Sequence, residues 1–173
     1  MPRPEILCRP VAGPEEADVH HRIRHEVFVL EQSVFAGSDV DFHDASPATV
    51  KVLAWAGGEP AGAVRLYPLE PGIWQGDRLA VLPPFRAWNL GSPLVRFAVD
   101  TAGSLGGSEM VAHVQVANLR FFEWLGWQRR GEPEVYVGLP HQLMAIDLTV
   151  PAGRGRRAPL GVTPAEGRSP ARS

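Results

Sequence analysis

The order of elements in this chain predicts a mixed α/β fold of the α+β kind, with a mostly antiparallel central sheet and helices on both faces. Three observations carry the prediction. Two apolar runs flank Gly57-Gly58-Glu59-Pro60 as the arms of a hairpin; a strand–loop–helix run follows from Arg78 to Val95; a further strand, a short helix and closing strands come after it. A hairpin of early strands feeding such an alternation gives a sheet of this type. With 173 residues and 45% hydrophobic content, the chain suffices for one domain around one sizeable core.

Glu5 to Val11 reads as the first strand. Gly13-Pro14-Glu15-Glu16 opens a helix, with a proline and two acids in its first turn. Val19, Ile23, Val27 and Leu30 recur every three or four residues and form its apolar face. A polar, acidic stretch from Ser38 to Ser46 interrupts. Thr49–Ala56 and Ala61–Leu69 are the hairpin strands, Leu79–Leu82 is a short strand, and a helix runs from Gly91 to about Gly103. Glu109–Val116 is another strand and Asn118–Leu125 a short helix; Val135–Val137 and Leu143–Val150 close the sheet. The sequence has no internal repeat, and the domain is expected to span residues 1–150.

Residues 151–173 read differently. They hold five arginines against one acid, Glu166, so this tail carries +4 and the body −6 of the net −2. Rich in Pro, Gly, Ser and Arg and without periodicity, the tail has too little apolar surface to order itself. No apolar run approaches the ~20 residues of a membrane span, and the first residues lack the apolar stretch and cleavage site of a secretory signal. A cytoplasmic protein with no membrane and no nucleic-acid partner is expected. The single cysteine, Cys8, excludes an intramolecular disulfide and cannot alone form a zinc site, so no metal is expected. It falls in the first strand and reads as a buried, inert thiol. Trp74 and Trp88, if exposed, would suit the surface of a homodimer.

The chemistry concentrates in Arg78 to Val95, RLAVLPPFRAWNLGSPLV. Pro83 and Pro84 end the strand's hydrogen-bond ladder, and a loop with one cation, Arg86, leads into the helix. Free amides and the helix dipole at such a helix start suit a phosphate group, and Arg86 adds a full charge. The same turn also occurs in α/β proteins that bind nothing there.

These residues resemble the acetyl-CoA pyrophosphate loop of the GNAT superfamily of N-acetyltransferases, Arg or Gln, two residues, Gly, one residue, Gly or Ala. Arg86 and Gly91 match its ends, while Asn89 stands where the first glycine is usual. Asparagine tolerates a left-handed backbone better than other non-glycine residues. Pro93 falls in the first helical turn, where its missing amide costs little. A second block, Asn118-Leu119-Arg120-Phe121-Phe122-Glu123-Trp124-Leu125-Gly126-Trp127, is similar to the family's later motif. There the resemblance implies that Asn118 lies beside the cofactor arm. Phe122 takes the place of a tyrosine that, in many relatives, protonates the departing CoA thiolate, so that proton must come from elsewhere or from water.

The front of the chain, Arg24-His25-Glu26-Val27-Phe28-Val29-Leu30-Glu31-Gln32, resembles the Arg-x-x-Val-Phe-Val-x-Glu-Gln signature of one acetyltransferase subgroup. Gly138-Leu139-Pro140-His141-Gln142-Leu143-Met144 resembles a segment that accompanies it. Taken together, the blocks look like a bacterial group associated with nitrogen starvation. Arg24, Phe28, Asp39, Asp41, Asp44 and Arg65 also resemble the pattern of acyl-homoserine-lactone synthases, which share the fold; the tryptophan those enzymes carry is not evident at Val34 or Phe35. An ion-pair network among these acids and arginines would fix the front loop, either over an acceptor pocket or as structure alone.

The resemblance implies an acyl-CoA-dependent N-acyltransferase, with acetyl-CoA as cosubstrate donor and a small-molecule amine as acceptor. Leu79, Ala80 and Val81 would align the pantetheine arm and offer an amide to the thioester oxygen. Arg86, Ala87, Trp88, Asn89, Leu90, Gly91 and Ser92 would hold the pyrophosphate, with Asn118 and Phe122 completing the cofactor set. A carboxylate or histidine must take the amine proton; Glu31 and His141 are the candidates, with Asp44 as a third. A lactone-synthase-like acyltransferase and a non-catalytic acyl-CoA-binding module are the alternatives.

Overall fold

Gly57 and Gly58, at φ +59° and +87°, supply the left-handed backbone of a tight turn between β2 (Val50–Ala56) and β3 (Glu59–Glu70). The strand resumes two residues sooner than the GGEP motif predicts, with Glu59 opposite Ala56. The computed structural model describes residues 2–149; the basic tail predicted for 151–173 lies outside the described residues. The remaining elements are β1 (Ile6–Pro10), α1 (Gly13–Arg24), β4 (Ile73–Val81), α2 (Gly91–Ser104), β5 (Glu109–Gln115), α3 (Leu119–Trp124), β6 (Gln128–Arg129), β7 (Glu134–Tyr136) and β8 (Leu139–Asp147).

The chain forms two compact units. Of the described residues, the first takes in those up to Tyr67 together with Gly76–Ala98; the second takes in Pro68–Gln75 and those from Val99 on. In the first, β1 and β2 pair antiparallel, as do β2 and β3, with a bulge at Ala54/Trp55. Strand β4 neighbours β3 across Pro71-Gly72, a connection only antiparallel strands can make. In the second, Ile73–Gln75 at the start of β4 pair in parallel with Glu109–Val111. There β5 pairs antiparallel with β8, which also carries the short β6 and β7. The sheet is thus mixed and mostly antiparallel.

In the first unit, adjacent residues of β3 show where the helices lie. Ala63 packs with Ile23, Val27, Phe28, Leu53 and Ala80, under the first helix. Its neighbour Gly62 points to the opposite face, where an added Cβ would come within 2.9 Å of Leu94 in α2 and 3.1 Å of the Ala80 carbonyl. Helices therefore cover both faces, and β3 is buried without interruption from Ala61 to Tyr67, as a strand covered on both sides should be.

One expectation fails instructively. Periodicity places Leu30 on the buried helix face, yet it is 68% exposed. From His25 to Glu31 the helix widens into a π-helix, with the Gln32 amide donating to the Val27 carbonyl at 2.9 Å. The wider turn brings Phe28 into the core instead of Leu30. Trp74, a candidate for a dimer surface, is 7% exposed; in the second unit it sits so close to Gly107 that a Cβ there would meet its ring at 2.6 Å. Trp88 is half-buried. Strand β4 starts at Ile73, ahead of the predicted Leu79, and β6, only two residues long, has no counterpart in the predicted elements. Cys8 is half-buried in β1, and burial pushes its thiol up to about 11, consistent with an inert group.

Candidate acyl-CoA site

After Val81, Leu82 donates its amide to the Ala61 carbonyl at 2.9 Å, and Pro83–Trp88 form a short 3-10 helix. Asn89 ends that turn in the left-handed region, φ +55° and ψ +52°, with its amide donating to the Arg86 carbonyl at 3.3 Å. The loop thus keeps the conformation a glycine would supply. Gly91 and Ser92 then open the 14-residue helix α2. Ser92 is 1% exposed, and its Oγ has no hydrogen-bond partner among the described residues. Ser92 thus leaves a buried hydroxyl unpaired in the first turn of α2. Leu79 and Val81 are partly accessible, while Ala80 and Leu90 are buried.

Arg86, although exposed, is held in place. Its Nε donates to the Val81 carbonyl at 2.9 Å, and its two terminal nitrogens grip Glu31 at 2.7 and 2.6 Å. Two residues assigned to separate roles are therefore partners. The hydrogen bonds from Arg86 hold the Glu31 carboxyl below its ordinary range, and in return the carboxylate raises the guanidinium.

The front acids and arginines do converge. Arg24, fully buried, donates through Nε to Asp39 at 2.7 Å and through its fork to Asp44 at 2.7 and 3.0 Å. Arg65, also fully buried, forks onto Asp77 at 2.8 Å by two bonds and reaches Asp41 at 2.7 Å and Asp44 at 3.0 Å. Asp41 and Asp44 close a reciprocal capping box around the turn Phe42–Ala45. Burial pushes Asp44 upward, but hydrogen bonds from Arg24 and the Asp41 amide, with the charges of Arg24 and Arg65, carry it well below the carboxylate range. Its oxygens are committed to these partners, which makes it a poor proton acceptor.

The motif reading misses Asp77 and Arg78. Arg78 sits at φ +55° in β4 and donates to Asp39 at 3.0 Å while its guanidinium lies 4.4 Å above the Phe35 ring. A left-handed non-glycine residue inside a strand is a local distortion that no apolar pattern encodes. Phe35 itself packs edge-on to Phe28, 6.4 Å between centroids. The position where a tryptophan is lacking thus holds an aromatic ring at work under Arg78.

In the second unit, His141 on β8 is 4% exposed and its Nδ1 lies 2.9 Å from the Leu139 carbonyl. A carbonyl only accepts, so Nδ1 carries the proton and Nε2 the basic lone pair. Tyr136 packs edge-on to His141 and stacks flat on His113, 4.1 Å between centroids. Asn118, exposed, precedes α3 and makes no side-chain cap. Phe122 is buried, edge-on to Phe121 at 5.4 Å and to Trp127 at 5.3 Å.

Residues 18–127 match the model of the acetyltransferase (GNAT) family. The chain belongs to that family. It is 27% identical over 126 residues to the uncharacterized N-acetyltransferase YjcF of Bacillus subtilis, covering 72% of this chain and 88% of that one. Escherichia coli ElaA has the same fold, with a TM-score of 0.73 at 20% identity over 82% of this chain and 99% of its own. So does BjaI, a CoA-dependent acyl-homoserine lactone synthase solved with SAM and isopentyl-CoA, with a TM-score of 0.66, 21% identity, and 85% and 84% coverage. As a GNAT family member the protein is an acyltransferase of the type that takes acyl groups from CoA thioesters. Among the described residues, no helix is long and apolar enough to cross a membrane.

Proposed function

We propose that this GNAT protein transfers an acetyl group from acetyl-CoA to the amine of a small molecule by direct attack. The observation that carries this reading is the opening of α2, where left-handed Asn89, Gly91 and the buried, unpartnered Ser92 hydroxyl form a cradle at a helix start. Arg86 to Ser92 bind the pyrophosphate. Leu79 to Val81 align the pantetheine arm, and an amide there polarises the thioester carbonyl. Asn118 and Phe122 flank the arm on the strength of the family motif.

The amine nitrogen attacks the thioester carbon, a C–N bond forms, and the C–S bond breaks. His141 Nε2 takes the amine proton, because its tautomer leaves that nitrogen basic. Glu31 is the second candidate once a ligand engages Arg86; Asp44 serves by holding the front loop. Phe122 has no proton to give, so water protonates the thiolate.

Isothermal titration with acetyl-CoA, for the wild type and Arg86→Ala, tests the donor site. Micromolar binding that weakens in the variant supports it; no binding of acetyl-CoA or longer acyl-CoAs refutes it. The Arg24–Asp39–Asp44–Arg65 network favours one second reading, a lactone-synthase-like acyltransferase. Parallel assays with acetyl-CoA and an amine panel, and with isopentyl-CoA and SAM, separate the two. Binding without turnover in either assay would leave a non-catalytic module.

A further inference from the structure

The Glu31–Arg86 pair joins the end of the π-helix to the phosphate loop by two hydrogen bonds of 2.7 and 2.6 Å. Its bearing on donor selection rests on the pyrophosphate reading of that loop. The carboxylate and guanidinium meet fork to fork, the arrangement a phosphate would otherwise adopt on the same cation. Both side chains remain open to solvent, at 36% and 42%, so an incoming anion can reach the pair without unfolding anything. Arg86 is further pinned by its Nε bond to the Val81 carbonyl, at the end of the strand that would align the pantetheine arm. Among the described residues Glu31 has no such second anchor, so it is the partner free to leave.

We propose that Glu31 is a built-in anionic competitor for Arg86, one that sets the charge a ligand must bring to occupy the loop. A pyrophosphate presents more negative charge than one carboxylate and displaces it; a weakly charged ligand does not. Arrival of the donor releases the Glu31 carboxylate, so an occupied loop and a free carboxylate go together. Glu31 thus acts on donor specificity through Arg86 and is a positioning residue in that role.

The test is a binding cycle without acceptor. Wild type, Glu31→Gln, Arg86→Ala and the double variant are titrated with CoA and with inorganic pyrophosphate, and their folding is checked by circular dichroism. An exposed ion pair of this kind corresponds to about two- to fivefold in affinity, so Glu31→Gln is expected to tighten both ligands by about that factor. The gain should vanish when Arg86 is already alanine. Unchanged or weaker CoA binding by Glu31→Gln overturns the proposal, since Glu31 would then be neutral or would support Arg86. A gain that persists without Arg86 also overturns it. If neither wild type nor Glu31→Gln binds CoA, the pyrophosphate reading itself fails and this inference falls with it.

Discussion

Two sets of arginine–carboxylate pairs lie in the same unit and do opposite things. The front network buries Arg24 and Arg65 completely, and each guanidinium is shared among two or three carboxylates. The Glu31–Arg86 pair has comparable distances but stands in solvent. Distance alone therefore says little about strength. A buried charge stripped of its partner has nowhere to find water, whereas an exposed one rehydrates at once. The first set is suited to fixing a loop, the second to being exchanged.

The comparison is broken most directly by Arg65→Ala. It removes a buried guanidinium that Asp77, Asp41 and Asp44 share, and a loss of about 3–5 kcal/mol in urea unfolding is expected. A loss near that of a surface mutation would mean water fills the network and the contrast is false. Arg86→Ala should leave the urea midpoint nearly unmoved while weakening CoA binding; a large stability loss would erase the distinction from the other side.

Acid sharpens the contrast further. His20 is fully buried and donates Nε2–H to the Val64 carbonyl at 3.0 Å, and burial drives its pKa down to about 3. Between pH 6.5 and that value the unfolded chain binds a proton that the folded chain refuses. Stability should therefore fall with decreasing pH across this window, by at most ~1.4 kcal/mol per unit. Asp44, whose folded pKa is depressed, works in a lower window: its contribution is full above the unfolded carboxylate pKa, about 4, and is lost only as pH falls further. Unfolding curves from about pH 7 to about pH 4 for wild type and His20→Gln should separate the two; a slope unchanged in the variant would assign the acid sensitivity elsewhere.

The smallest effect is expected at Asn89. Replacing it by glycine removes left-handed strain and should change stability by under about 1 kcal/mol, while alanine should cost about 1 kcal/mol. CoA binding should survive the glycine variant, and its loss there would show that the asparagine side chain, not its backbone, serves the loop.

Asn89 also shows what the sequence could convey. A residue's tolerance for left-handed backbone is intrinsic, so the loop's survival without its usual glycine was legible in advance. The front acids were legible as a cluster because their spacing matched a known pattern. The missed features share a different cause. Arg78 joins the network through a positive φ within β4, and Leu30 leaves the core because the helix widens. Trp74 is buried by a close approach to Gly107. Each depends on three-dimensional packing that overrides a simple period of two or 3.6. The partnership of Glu31 with Arg86 belongs here too, since fifty-five positions separate them in the chain.

The widened turn at His25–Glu31 can also be viewed as an insertion written into a helix. Deleting one residue within it, such as Val29, would restore the ordinary helical pitch with little rotation of the residues downstream, because the wide turn already absorbs the extra one. Leu30 would stay out of the core and Glu31 within reach of Arg86. A single-codon deletion would thus narrow the helix while keeping its end coupled to the loop that carries Arg86.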